Sequence, residues 1–264
     1  MTRTATEVTY LTKARDLKNN YFAFTFGPYS KARHFKPGQF IHARLPGTEV
    51  YFRRAFSVAA TDPDAESIEL IFKVFGRGTR LMGKMRNGDP IDFLGPLGNT
   101  FTLPKKSDRV IMVAGGVGFP PLMFLAEYLV NHGYNPQQIE FFYGGASKPD
   151  IIERTKIKKM GVNFRPVTED GSLGERGLVT IPVDQFIQEN RGEPLRLYGC
   201  GPEGMLKAAN DVALKHNIPG QLSLEAPMPC GIGICMGCVV PLTDGGHARV
   251  CREGPVFDIG MVKL

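Results

Sequence analysis

The sequence predicts a β-barrel, then a doubly wound α/β domain, then a small cysteine-bearing tail. Three observations predict this order. Residues 1–103 read as short strands with turn residues between them. Residues 104–226 alternate strand and helix. Residues 227–264 show little periodicity yet hold four of the five cysteines.

The strand signals of the first unit are VTYLTKARDL, YFAFTFGP, QFIHARLP, RRAFSVAAT, SIELIFKVF and PIDFLGPL. Each is rich in β-branched and aromatic residues, and Gly, Pro, Asn or Asp separates most of them. Six strands without a convincing helix predict a small antiparallel barrel. In the second unit, RVIMVAGG ends a strand on glycines and PPLMFLAEYLVNHG follows with helical spacing. IEFFYGGA, NFRPVTED, LRLYGCG and QLSLEA read as further strands, with helices over DIIERTKIKKMG and PEGMLKAANDVALKHN. Regular alternation of strand and helix predicts a parallel sheet covered on both faces. The tail is too short for an apolar core of its own, so something else must hold it together.

The chain has 264 residues, a net charge of +6 and 42% hydrophobic residues. The Lys and Arg are scattered, and KARHFK and KKSDR lack the interleaved aromatics of a nucleic-acid site. A modest positive field suits anionic dinucleotides or an acidic partner. No apolar run approaches the roughly 18 residues of a membrane span. MTRTATEVTYLTKARDL has no apolar signal core, so a cytoplasmic location is expected. An odd cysteine count in such a chain argues against a disulfide framework and for a metal site.

The tail spacing is Cys230-x4-Cys235-x2-Cys238-x12-Cys251. This is the plant-type [2Fe–2S] pattern of three close cysteines and a distant fourth. Gly231, Gly233 and Gly237 permit the turns that place thiolates on one concave face, and let amide N–H groups approach cluster sulfurs. Structural zinc is the main rival. Zinc ribbons pair two C-x2-C knuckles, however, and only one is present. Plain structural cysteines are the third reading. Cys200 lies in a separate strand–loop and is not counted as a ligand.

Arg54-Ala55-Phe56-Ser57 closes a barrel strand. Arg can hold a pyrophosphate with forked donors, Phe can pack on a flavin ring, and Ser can hydrogen-bond the ring nitrogen that accepts hydride. An ordinary strand with one exposed Arg fits the tetrapeptide as well. Gly76-Arg77-Gly78-Thr79 offers amides and a hydroxyl to phosphate, or makes a simple turn. Gly115-Gly116-Val117-Gly118-Phe119-Pro120-Pro121 follows a strand and opens a helix, as a dinucleotide site requires, although it is not G-x-G-x-x-G. Tyr198-Gly199-Cys200-Gly201-Pro202 lies at another strand's carboxyl end, where ligands of doubly wound sheets sit. Either loop alone could be structural.

Barrel, Arg-x-Phe-Ser, GGVGFPP and YGCGP, in that order, resemble the ferredoxin–NADP reductase superfamily. CGIGICMGC with RVCREGPVF, together with RRAFSV, GRGTRLM, GPLGN and EDGSLGERG, closely resembles the electron-transfer subunits of class 1B dihydroorotate dehydrogenases. Ala55 and Phe56 depart from the Pro and aliphatic residue of that family, and PMP replaces its usual lead-in to Cys230. The resemblance implies FAD in the barrel, NADH as the outer redox partner, and a heterotetramer with an FMN-containing catalytic subunit in pyrimidine biosynthesis. It also implies that nicotinamide meets the flavin near Ser57 and Cys200, with Arg54, Ala55, Phe56, Gly76, Gly78 and Thr79 around FAD. Gly115, Gly116, Gly118, Gly201 and Pro202 would then serve the dinucleotide. Asp150, Glu169 and Asp170 favour NAD over NADP, because a carboxylate suits a ribose diol and repels a 2′-phosphate. The small subunit of an NAD(P)H-dependent ferredoxin or sulfide oxidoreductase complex shares this architecture. A zinc module in a non-catalytic binding protein is the reading from another class.

Overall fold

The computed structural model describes residues 5–264. Its first six strands are β1 (Ala5–Lys18), β2 (Tyr21–Gly27), β3 (Phe40–Arg44), β4 (Arg54–Asp62), β5 (Ser67–Lys73) and β6 (Pro90–Leu97). They close into an antiparallel barrel in the order β1-β2-β5-β4-β3-β6. Closure removes the edges an open sheet would expose. The interior is aromatic: Phe24, Phe26, Tyr29, Phe72 and Phe93 are buried together, several edge-to-face. A one-and-a-half-turn helix, α1 (Arg77–Met82), interrupts the barrel sequence. The expectation of a helix-free barrel misses it, because it contains Gly78, is flanked by Gly76 and Gly83, and shows no full apolar period.

The second unit contains β7 (Arg109–Gly115), α2 (Phe119–Asn131), β8 (Ile139–Gly145), α3 (Arg154–Lys159), β9 (Asn163–Thr168), β10 (Glu175–Arg176), α4 (Thr180–Glu189), β11 (Leu195–Cys200), α5 (Glu203–Lys215) and β12 (Gly220–Ser223). The strands form a parallel sheet in the order β10-β9-β8-β7-β11-β12. Alternation along β7 serves two cores. Val110, Met112 and Ala114 pack with α2 and α3, and with Tyr21, Ala23, Ala59 and Ile71 of the barrel. Ile111 and Val113 pack with α4 and α5 on the other face. Helix α4 has no counterpart in the sequence expectation. It opens Thr-Ile-Pro and carries too few apolar turns to stand out. Among the described residues no helix is long and apolar enough to cross a membrane.

The tail adds β13 (Val239–Pro241), β14 (His247–Arg249) and β15 (Val256–Asp258). Strand β15 pairs antiparallel with β12 and extends the parallel sheet by one strand. Cys238, Ala248, Val250, Cys251, Phe257 and Val262 join the core under α4 and α5. Asn99, at the end of the barrel, clamps the tail from the other side. Its side chain donates to Val256 O at 2.7 Å and Glu253 O at 2.9 Å, and accepts from Val256 N at 3.0 Å. The predicted lack of an independent tail core is thereby answered: the tail borrows the core of the sheet.

Candidate functional site

A cavity of about 220 Å³ opens between barrel and sheet. Arg54, Ala55, Phe56 and Ser57 of β4, with Lys73 and Thr79, form its barrel wall. Val117, Pro120, Cys200, Glu225 and Met228 form the opposite wall. Arg54 donates to Phe52 O, and its guanidinium lies against α1: a methyl group at Gly78 would stand 2.7 Å from Arg54 Nε. The two segments singled out for phosphate are thus side by side. The Thr79 hydroxyl accepts from Gly76 N at 3.1 Å and Phe75 N at 3.2 Å, and donates to Gly76 O. That hydroxyl serves the first turn of α1.

Cys200 is buried, and burial pushes its thiol well above the ordinary range; the charge of Glu225 adds to the push and a Ser223 hydrogen bond opposes it. Burial also raises the Glu225 carboxyl above its usual range. Cys200 and Glu225 face Ser57 across this cavity.

A larger cavity of about 580 Å³ lies at the carboxyl ends of the parallel strands. Gly115, Gly116, Gly144, Gly145, Asp150, Glu169, Leu178, Thr180, Pro202 and Met205 line it. Gly116 has φ +52° and nothing within 4 Å of the position a Cβ would take, so the loop backbone itself faces the opening. The Asp150 carboxylate has local partners: Lys73 Nζ at 3.2 Å, Asn19 Nδ2 at 2.9 Å and Ser147 N at 3.2 Å. Glu169 stands exposed at the rim. Asp170 caps its own turn through Ser172 and lines neither cavity.

The two cavities adjoin. Lys73 belongs to both walls. The loop after β7 gives Gly116 to the larger cavity and Val117 to the smaller, and the end of β11 gives Pro202 to the larger and Cys200 to the smaller. Burial works against the Lys73 charge, but the Tyr21 ring at 4.7 Å and Asp150 outweigh it and raise its pKa. Lys73 lines both candidate cavities, and sequence patterning does not reveal it: it ends strand β5 with no spacing signature.

The four tail cysteines fall into pairs. Cys238 and Cys251 are buried with sulfurs 3.3 Å apart, and Cys251 N faces Cys238 Sγ at 3.5 Å. Cys230 and Cys235 hydrogen-bond through their side chains nearer the surface, and Gly237 N faces Cys235 Sγ at 3.4 Å. Burial opposes ionisation of Cys230, but backbone donors at Ile232, Cys235 and Ile234 together outweigh it and bring the thiol down to about 6. Burial and the Cys238 sulfur push Cys251 up to about 12. Among the described residues no three His, Cys, Asp or Glu side chains converge as the ligands of one ion. Two thiol pairs lined with N–H donors fit a two-iron cluster better than a single zinc ion. None of the five cysteines forms a disulfide.

Family models match the chain in three segments. An oxidoreductase FAD-binding domain matches residues 9–102, and an oxidoreductase NAD-binding domain matches residues 112–211. The iron–sulfur cluster binding domain of dihydroorotate dehydrogenase B matches residues 225–263. The electron transfer subunit of dihydroorotate dehydrogenase B (NAD(+)) from Caldanaerobacter subterraneus is 37% identical over 253 residues, covering 93% of this chain and 95% of the relative. Its counterpart from Shouchella clausii is 37% identical over 235 residues, covering 87% of each. Among solved structures, a chain of the NADH-dependent reduced ferredoxin–NADP oxidoreductase superposes with TM-score 0.86 at 28% identity, over 100% of this chain and 91% of that one. The cytochrome b5 reductase domain of Ulva prolifera nitrate reductase shares the fold, with TM-score 0.68 at 17% identity over 81% of this chain and 94% of its own. Matched end to end in this way, the chain belongs to the electron-transfer subunits of NAD-dependent dihydroorotate dehydrogenase B, an oxidoreductase family with FAD-binding, NAD-binding and iron–sulfur domains.

Proposed function

We propose that the barrel-side cavity holds the flavin ring of FAD, the larger cavity holds NAD(H), and Cys230, Cys235, Cys238 and Cys251 hold a [2Fe–2S] cluster. The corresponding units are residues 1–103, 104–226 and 227–264. One observation carries this reading: both cavities share Lys73 and both nucleotide loops, and Met228 of the smaller cavity stands two residues before Cys230. A dinucleotide lying along those loops brings its nicotinamide end to Ser57 and Cys200, and the cluster loop begins where the flavin cavity ends.

Bound there, FAD supplies hydride acceptance and single-electron release, and the cluster supplies one-electron transfer. The chain's own residues bind and orient. Arg54 matches pyrophosphate charge with forked donors. Ser57 offers a hydroxyl to the ring edge. Lys73 places a cation at the junction, where the dinucleotide's phosphates pass. Cys200, kept as a neutral thiol by burial, packs beneath the nicotinamide without competing as a nucleophile. Glu225 places a carboxyl on the cavity wall beside the ring. The exposed carboxylate of Glu169 favours the ribose diol of NAD. The two thiol pairs, Cys230 with Cys235 and Cys238 with Cys251, would hold the cluster.

The relatives are named for electron transfer in dihydroorotate dehydrogenase B, which implies a catalytic partner subunit. We infer that the partner carries FMN, that the two form a heterotetramer, and that electrons run from dihydroorotate to NAD in the cytoplasm. Exposed Ile232, Ile234 and Met236, set between the surface ligands, are the proposed docking face. The likeness to the ferredoxin–NADP oxidoreductase chain favours a second reading, in which the partner flavoprotein belongs to a ferredoxin-linked complex. An absorbance spectrum with iron and sulfide analysis tests the cofactors. Flavin and iron–sulfur bands that bleach with NADH are expected; zinc in their place overturns the reading. Co-purification of an FMN protein, assayed with dihydroorotate and with ferredoxin, decides between partners.

A further inference from the structure

His42 is fully buried, and neither ring nitrogen meets a hydrogen-bond partner. Buried polar atoms are satisfied in the great majority of cases, so such an orphan needs an explanation. The strand supplies one. In β3, Ile41 and Ala43 face the barrel core. Phe40 and His42 therefore face outward. Phe40 lines the flavin cavity and packs in the core that contains Cys238 and Cys251. His42 is paired with Ala55 of the flavin-binding strand, and its ring lies under the first turn of the cluster loop. Gly231 has φ +70°, and a methyl group there would stand 2.6 Å from His42 Nδ1. The Met228 and Cys230 backbone lies within hydrogen-bonding reach of the ring, but neither contact is well aligned, which leaves both nitrogens without a well-formed bond. Met228 lines the flavin cavity and Cys230 is the first cluster cysteine. One imidazole thus touches the segment that joins the two redox sites.

We infer that His42 is a positioning residue: its ring N–H seats the Met228–Gly231 turn on β3 and thereby fixes the cluster relative to the flavin. This rests on the cluster reading above. Residues that orient a metal ligand from behind typically change affinity or activity about 10–100-fold when removed. The imidazole fills the volume above β3 and directs a donor at the turn, and Gly231 leaves the room it needs.

Two substitutions separate donor from filler. His42→Gln keeps a donor at similar reach, while His42→Leu keeps only apolar bulk. His42→Leu is expected to hold FAD like the parent. Its cluster should show an altered electron paramagnetic resonance line shape and a shifted midpoint potential, with cluster bleaching by NADH slowed roughly tenfold. His42→Gln should restore all three. If His42→Leu matches the parent, or if both variants are impaired alike, the imidazole is filler and the inference falls. Should His42→Leu fail to fold, His42→Met removes the donor with a more pliable apolar side chain. It must reproduce the altered line shape, and a parental line shape sinks the idea. Iron and sulfide in the parent report on the cluster reading separately, and a parent without them removes both.

Discussion

Cys238 and Cys251 lie inside the core that α4, α5 and the parallel sheet share, whereas Cys235 stands at the surface between exposed Ile234 and Met236. The same loop therefore contains two kinds of ligand position. The buried pair is packed as core and would stay put without metal. The outer pair is held by backbone N–H groups and by turns at Gly231, Gly233 and Met236, all with positive φ. The inner pair is thus a fixed anchor, and the outer pair a rim shaped by a few backbone turns. On the proposed ligand set, burial would protect one side of the cluster and the exposed rim would be the side open to a partner.

The largest effect that can break this contrast comes from serine substitutions. Cys238→Ser and Cys251→Ser should lose the cluster and also destabilise the fold. An unmatched buried hydroxyl costs about 1–3 kcal/mol, which lowers the melting temperature by several degrees. Cys235→Ser should lose the cluster with a nearly parental melting temperature, and Cys200→Ser should keep the cluster. Iron, sulfide and thermal scans on these variants check the set; equal melting losses at Cys235 and Cys238 would erase the distinction.

Met236→Glu sharpens the contrast from the rim. The variant should retain FAD, cluster and NADH-to-dye reduction, yet fail to co-purify with the partner flavoprotein. A lost cluster in the isolated variant would instead make Met236 internal packing.

A smaller effect is expected at the barrel. Arg54→Ala leaves pyrophosphate charge without its forked donor, and a charged hydrogen bond is worth about 1.5–3 kcal/mol. FAD affinity should fall roughly ten- to a hundredfold. A titration showing parental affinity would leave Arg54 as an ordinary surface residue.

Much of this architecture is written in local patterns. The six barrel strands and the strand–helix alternation follow from residue type and turn residues, and the cysteine spacing from the short reach of a cluster loop. What stays hidden depends on long-range contact. Lys73 is one charge in an apolar strand, and only folding sets it at the junction of two cavities. Thr79 and Asp150 are sound choices for a ligand by type, yet local partners engage both: the hydroxyl caps α1, and the carboxylate meets Lys73, Asn19 and Ser147. Helices α1 and α4 escape because short helices have little period to display. Asn99 looks like the end of a turn until the tail, more than 150 residues later, arrives to bond it.

That last contact has a mechanical consequence. With β15 zipped to β12 and Asn99 gripping Glu253 and Val256, the iron–sulfur segment has no tether on which to swing. It cannot shuttle as a loosely linked ferredoxin would. The distance from flavin to cluster is thereby set when the chain folds, and on the proposed docking face the partner comes to the Cys235 rim while this chain serves as a stationary wire.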